Sequence, residues 1–111
     1  MSGTRLVASV WVAALLRRAA AQGVFATILR RGDPVAGAVA LVLRGRAGPW
    51  RIFVRVTGAG GAGWAAVRDA IDDAEVTGWI ERQARYDPDL WVVELLGEDA
   101  PRLVVELPHA D

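Results

Sequence analysis

Residues 37–44, Gly-Ala-Val-Ala-Leu-Val-Leu-Arg, are apolar at odd and even positions alike. A strand sends successive side chains to opposite faces, so this run is apolar on both and belongs in the interior of a sheet. It lies between two other strand-like runs. In Val24–Arg31, Phe25, Thr27 and Leu29 fall on one face and Ala26, Ile28 and Arg30 on the other. In Trp50–Thr57, Arg51, Phe53 and Arg55 alternate with Ile52, Val54 and Val56. Gly32-Asp33-Pro34 and Gly45–Pro49 are turns between these runs. Short turns between consecutive strands predict an antiparallel meander with 37–44 at its centre.

Residues 5–22 read as a helix, with Val7, Val10, Trp11, Ala14 and Leu15 on one stripe and Gly23 as its stop. A second stripe, Leu6, Ala13, Leu16 and Ala20, makes it apolar over much of its circumference, so it is sandwiched or meets a partner. The segment superficially resembles a secretory leader, but Arg17-Arg18 interrupts that pattern. Its eleven-residue apolar core, Leu6–Leu16, is short of the roughly 20 residues that span a bilayer. A core helix and a cytoplasmic location are expected.

Residues 73–86 are a second helix. Asp72 or Asp73 caps it, Val76, Trp79, Ile80 and Gln83 share a face, and Pro88 ends it. Leu90–Leu96 and Arg102–Leu107 read as two further strands, paired as a hairpin, because each contains Val-Val-Glu-Leu. Residues 64–70 fit either a short strand or the start of a helix. The expected fold is a single α+β domain over residues 1–111, a mainly antiparallel sheet of about five strands with two helices packed on one face.

Composition narrows the chemistry. The chain has no cysteine, which excludes disulfides and thiolate metal sites. It has no lysine, which excludes a Walker A loop and Schiff-base catalysis. It has no asparagine to glycosylate. Residues 58–63, Gly-Ala-Gly-Gly-Ala-Gly, match G-x-G-x-x-G literally. A dinucleotide site would need a helix directly after them and several βαβ units, so a flexible hairpin loop is the expected reading. The lone His109, in the C-terminal tail, and the two serines, Ser2 and Ser9, lack the surroundings of a catalytic base or nucleophile. No cofactor is implied. Asp87, Asp89 and Glu94 could hold one Mg²⁺ in a small metal-dependent enzyme, although acids around a proline turn commonly cap backbone groups.

Charge is distributed unevenly. Residues 1–60 hold nine arginines and one acid, a net of +8; residues 61–111 hold four arginines and twelve acids, a net of −8. Arg30, Arg31, Arg44, Arg46, Arg51 and Arg55 lie on or between neighbouring strands. If Arg51 and Arg55 share a face with Arg30 and Arg44, the sheet offers a basic surface for a nucleic acid. Packing of one half against the other is the plainer expectation.

Three strings carry a resemblance: Trp11-Val12-Ala13-Ala14-Leu15-Leu16-Arg17-Arg18; Arg31-Gly32-Asp33 with Ala36-Gly37-Ala38-Val39; and Arg82-Gln83-Ala84-Arg85-Tyr86-Asp87-Pro88-Asp89-Leu90-Trp91-Val92-Val93-Glu94. Over nearly the whole chain the sequence resembles an alphaproteobacterial family of domains of unknown function, family number 1491. Tyr86 stands where the pattern suggests Phe. The resemblance implies a cytoplasmic bacterial protein and brings no activity, cofactor or catalytic residue. It directs attention to Arg82, Gln83, Tyr86, Asp87, Asp89 and Trp91 as a candidate binding surface. With 53% hydrophobic residues and five tryptophans, the leading expectation is a non-enzymatic interaction module that binds a protein partner or itself. Nucleic-acid association through the arginines is the alternative, and no membrane partner is expected.

Overall fold

The computed structural model describes residues 7–45, 47–58 and 61–107. The elements run α1 (Ala8–Ala21), β1 (Phe25–Arg30), β2 (Val39–Arg44), β3 (Trp50–Gly58), β4 (Gly61–Ile71), α2 (Asp73–Tyr86), β5 (Trp91–Leu96) and α3 (Ala100–Glu106). The start of the first expected helix (Arg5 and Leu6), Ser2, Arg46, Ala59-Gly60 and His109 lie outside the described residues.

The five strands form one mixed sheet in the order β1-β5-β2-β3-β4. β2 is the central strand, as its two apolar faces require. The expected meander is corrected in one respect: β5 lies between β1 and β2. It runs antiparallel to β1 and parallel to β2, while β2/β3 and β3/β4 are antiparallel. The turn after β1 therefore joins strands that are not neighbours. Residues 64–70 belong to β4, whose partner is β3.

Among the described residues three helices cover the sheet, not two, and they occupy both faces. On one face Trp11, Val12 and Leu15 of α1 pack with Leu41 and Leu43 of β2 and Val93 and Leu95 of β5. Leu103, Val104 and Leu107 join the same cluster. On the other face Val76 and Trp79 of α2 cover Ala40, Val42, Ile52 and Val92. A central strand apolar on both sides needs a layer on each, which is why helices confined to one face do not suffice.

The segment 102–107 is helical, so the expected terminal hairpin is not formed. Pro101 stands in the first turn of α3, where its missing N–H costs nothing. Leu103, Val104 and Leu107 are buried while Val105 is 82% exposed. That spacing puts one side of a helix against the core.

Local chemistry sets α2. The Asp72 carboxylate accepts from the Glu75 N–H at 2.8 Å, and the Glu75 carboxylate accepts from the Asp72 N–H at 3.1 Å, a reciprocal capping box. At its other end Asp87 N–H donates to the Gln83 carbonyl at 2.8 Å. Gly58 and Gly61 pair across the β3–β4 hairpin. The expected flexible loop at 58–63 is corrected for its described residues: Gly58 ends β3 and Gly61 and Gly63 lie within β4, so they belong to strands. Among the described residues no helix is long and apolar enough to cross a membrane.

Candidate functional site

The candidate surface at 82–91 is built around an interlocked corner. The loop after β1 begins with Arg31, Gly32 and Asp33. The Asp33 carboxylate accepts from Val35 N–H at 3.0 Å and Ala36 N–H at 2.7 Å, which folds the loop on itself. Carbonyls of this loop then cap α1: Ala8 N–H donates to Val35 O at 3.1 Å and Ser9 N–H to Pro34 O at 2.8 Å. These bonds serve amides that α1 has no side chain to satisfy.

The same loop holds the chain entering β5. Trp91 Nε1 donates to the Asp33 carbonyl at 2.7 Å. Asp33 N–H donates to Asp89 O at 3.0 Å, and Trp91 N–H to Ala38 O at 2.8 Å. Gly32 and Gly37 face this contact from two sides. A Cβ on Gly32 would lie 2.0 Å from Asp89 O, and one on Gly37 would lie 2.3 Å from it. Only glycine allows so close an approach. Arg30 adds a clamp, its Nη1 donating to Pro88 O at 3.0 Å and Leu90 O at 2.5 Å.

The candidate residues thus divide by exposure. Trp91 is buried and its indole N–H is satisfied. Asp87 is half-buried, and its Oδ1 accepts from Asp89 N–H at 3.1 Å. Gln83 is half-buried, whereas Arg82 and Asp89 are exposed. Tyr86 is 85% exposed at the end of α2. The inner part of this surface holds the corner together, and its outer part is open to solvent. Glu94 lies further along β5, opposite Thr27 of β1. Among the described residues no group of three or more His, Asp or Glu side chains is placed to hold a metal ion.

The arginines do not share one face. Arg51 lies opposite Leu43, on the α1 side, and the next residue along β2, Arg44, points to the α2 side. Arg55 follows Arg51 on the α1 side, opposite Trp64. Trp64 in turn stacks against Trp11, with centroids 5.8 Å apart. Arg30 is committed to the two carbonyls of the corner. Arg31 sits 5.7 Å from the Trp91 ring, Arg44 4.6 Å from the Trp50 ring, and Arg51 5.0 Å from the Phe53 ring. Arg51 also pairs with Asp69 at 3.3 Å. An open hollow beside Arg44 and Trp50 reaches the start of α2. There the Trp50 indole N–H donates to the Asp73 carboxylate, fastening β3 to that helix.

A surface outside both candidate sets emerges on β1. Phe25, Thr27 and Leu29 are exposed while Ala26, Ile28 and Arg30 are half-buried. Phe25 is 76% exposed and Leu29 42%. Phe25 lies opposite Leu96 and Thr27 opposite Glu94, so this row is on the α2 side. The core cluster that includes Val76 and Trp79 of α2 draws on β2, β3, β4 and β5 and on no residue of β1, which leaves the β1 margin open. The signal in the sequence is the apolar pair Phe25 and Leu29 on a strand whose other face already carries Ala26 and Ile28.

Comparison with known proteins matches these features to a family model described as a protein of unknown function, DUF1491, over residues 6–105. No curated protein matches the chain. The fold is similar to the crystal structure of a DUF1491 family protein from Caulobacter crescentus CB15. That protein is 38% identical with a TM-score of 0.79, and the match covers 95% of this chain and 97% of the other. An NMR structure of a DUF1491 family protein from the same organism is 39% identical, with a TM-score of 0.77 and coverage of 94% and 96%. The solution structure of a protein from A. tumefaciens is 28% identical, with a TM-score of 0.78 and coverage of 96% and 100%.

Proposed function

Because the chain belongs to the DUF1491 family, whose members are described only as proteins of unknown function, we propose a role from its own surfaces: a non-enzymatic interaction module that docks a partner along the free edge of β1. The observation that carries this reading is Phe25, 76% exposed on an edge strand. An edge strand offers unpaired backbone donors and acceptors, and proteins ordinarily guard such edges with charge, proline or irregular pairing. β4, the opposite edge, is guarded in this way. It carries Arg68 and Asp69, its register with β3 is irregular, and Ala70 adopts a positive φ of 56°. β1 carries one charge, Arg30, and that side chain is turned back onto the corner. Its register with β5 is regular from Phe25 to Ile28 and shifts between Ile28 and Arg30, so the open stretch is its first four residues.

The chemistry suits an extended segment. Backbone pairing would supply affinity, and Phe25 and Leu29 would select apolar side chains at alternate positions. The bond from Arg30 to Pro88 sets the end of α2, where Tyr86 is exposed, near the Arg30 end of β1. A cytoplasmic location fits a first helix that forms part of the core.

The test compares three baits in bacterial extract, wild type, Phe25→Lys and Val105→Lys, each with and without nuclease. Val105→Lys, on the exposed side of α3, serves as control. A protein that survives nuclease, binds wild type and the control, and is lost with Phe25→Lys supports the reading. Equal capture by all three baits contradicts it. Capture that nuclease abolishes returns the arginines to first place.

A further inference from the structure

We propose that the partner of β1 is β1 of a second copy, in an antiparallel pair centred on Thr27. The proposal rests on the reading of β1 as the docking edge and goes further by naming the occupant. A two-fold axis perpendicular to the sheet brings two identical edges together antiparallel, with equivalent faces on the same side. Opposed residues must then share a face. Two such registers overlap nearly the whole of Phe25–Arg30. The register centred on Ile28 sets Phe25 against Arg31 of the second copy. The register centred on Thr27 sets Phe25 against Leu29 of the second copy and, by symmetry, Leu29 against its Phe25.

Three features of the molecule favour the Thr27 register. The two most exposed apolar side chains of β1, 76% and 42% exposed, become cross-strand partners twice over. The four-strand row through the axis reads Glu94, Thr27, Thr27, Glu94, so hydroxyls meet at the centre and the carboxylates stay a strand apart from it on each side. Charge is also complementary. Past Ile28, where the pairing of β1 with β5 shifts, the exposed Arg31 is carried toward Gly23 of the second copy, which closes α1 with φ +74°. A helix carboxyl end favours such a positive group. No two arginines oppose each other, although the first half of the chain carries nine.

The edge is one six-residue strand, and pairing it buries less than the roughly 1,200 Å² of a stable complex. The dimer is therefore reversible and depends on protein concentration. Its continuous sheet would hold ten strands.

The chain has no cysteine, so single cysteines report the register directly. In the full chain, Thr27→Cys should form a disulfide-linked dimer under mild oxidation about tenfold faster than Val105→Cys, because its two copies are held together. Phe25→Cys alone should not, since its two copies lie roughly 13 Å apart along the strands. A mixture of Phe25→Cys and Leu29→Cys should link as heterodimers. Sedimentation of the unsubstituted chain should show reversible dimerisation that Phe25→Lys removes. Thr27→Cys linking no faster than Val105→Cys, with sedimentation monomeric throughout, overturns the proposal. Phe25→Cys linking to itself as fast as Thr27→Cys overturns the register. If self-pairing fails while Phe25→Lys still abolishes capture from extract, β1 is a docking edge for another chain. If both fail, so does the reading of β1.

Discussion

The indole Nε1 of Trp91 donates a hydrogen bond to the carbonyl of Asp33 at 2.7 Å, across 58 positions of sequence. This bond brings together two of the three strings that mark the family resemblance. Asp33 belongs to the loop that caps α1, and α1 carries the third. Two of the strings therefore meet at one junction, whose loop also caps the helix that carries the third.

Steric fit at this junction is the first prediction. Gly32→Ala would place a Cβ 2.0 Å from Asp89 O and 2.6 Å from the Trp91 ring. Both are fixed groups, so the corner must shift, at an expected cost of about 1–3 kcal/mol. Thermal unfolding should show a melting temperature lower by about 4–8 °C per kcal/mol. Gly45→Ala, whose Cβ would meet nothing within 4 Å, should stay within about 0.5 kcal/mol of wild type.

Arg30 and Arg31 are neighbours with different work. Arg30 serves two backbone carbonyls of the corner, one of them in a part-buried bond, whereas Arg31 is exposed over the Trp91 ring. Arg30→Ala should cost about 1.5–3 kcal/mol, the range for hydrogen bonds from a charged group. Arg31→Ala should cost about 0.5–1 kcal/mol, the range for an exposed cation over a ring. Urea unfolding of the two variants measures the difference.

The C-terminal helix gives a sharp contrast. In α3, Leu103 is fully buried and Val105 is 82% exposed. In a strand these two positions would share a face. Leu103→Ala should cost about 2–5 kcal/mol, while Val105→Ala should cost less than about 0.5 kcal/mol. Equal losses at both positions would speak for a strand.

The cap of α2 can be titrated by substitution. Asp72→Ala removes the carboxylate that accepts from Glu75 N–H and should cost about 1 kcal/mol. Asp72→Asn keeps an acceptor oxygen and should retain most of that stability.

Local signals were legible where they act locally. Helix α2 is where Asp72, Glu75 and Pro88 place it, because capping and termination are written within a few residues. β2 is central because its composition demands cover on both faces. What escaped the sequence is non-local. Gly32-Asp33-Pro34 has the composition of a hairpin turn, yet its neighbour in space is the Asp89–Trp91 segment, and β5 takes the place beside β1. Arg102–Leu107 has strand propensity, but burial of Leu103, Val104 and Leu107 on one side outweighs it. Of the candidate surface, the segment 82–91 was visible as an unusual string, but nothing in it distinguishes a corner that is locked from one that binds. The β1 edge could not be recognised before β1 was known to lie at the margin of the sheet.

The most direct measurement of the central claim is amide hydrogen exchange of the wild-type chain in buffer and in nuclease-treated bacterial extract, with a matching pair in which the chain is dilute or concentrated. The account predicts slowed exchange confined to Phe25–Leu29 when a partner, its own copy included, is present. Unchanged exchange along β1, with slowing centred on 82–91 or on the segments bearing Arg44, Arg51 and Arg55, would contradict it.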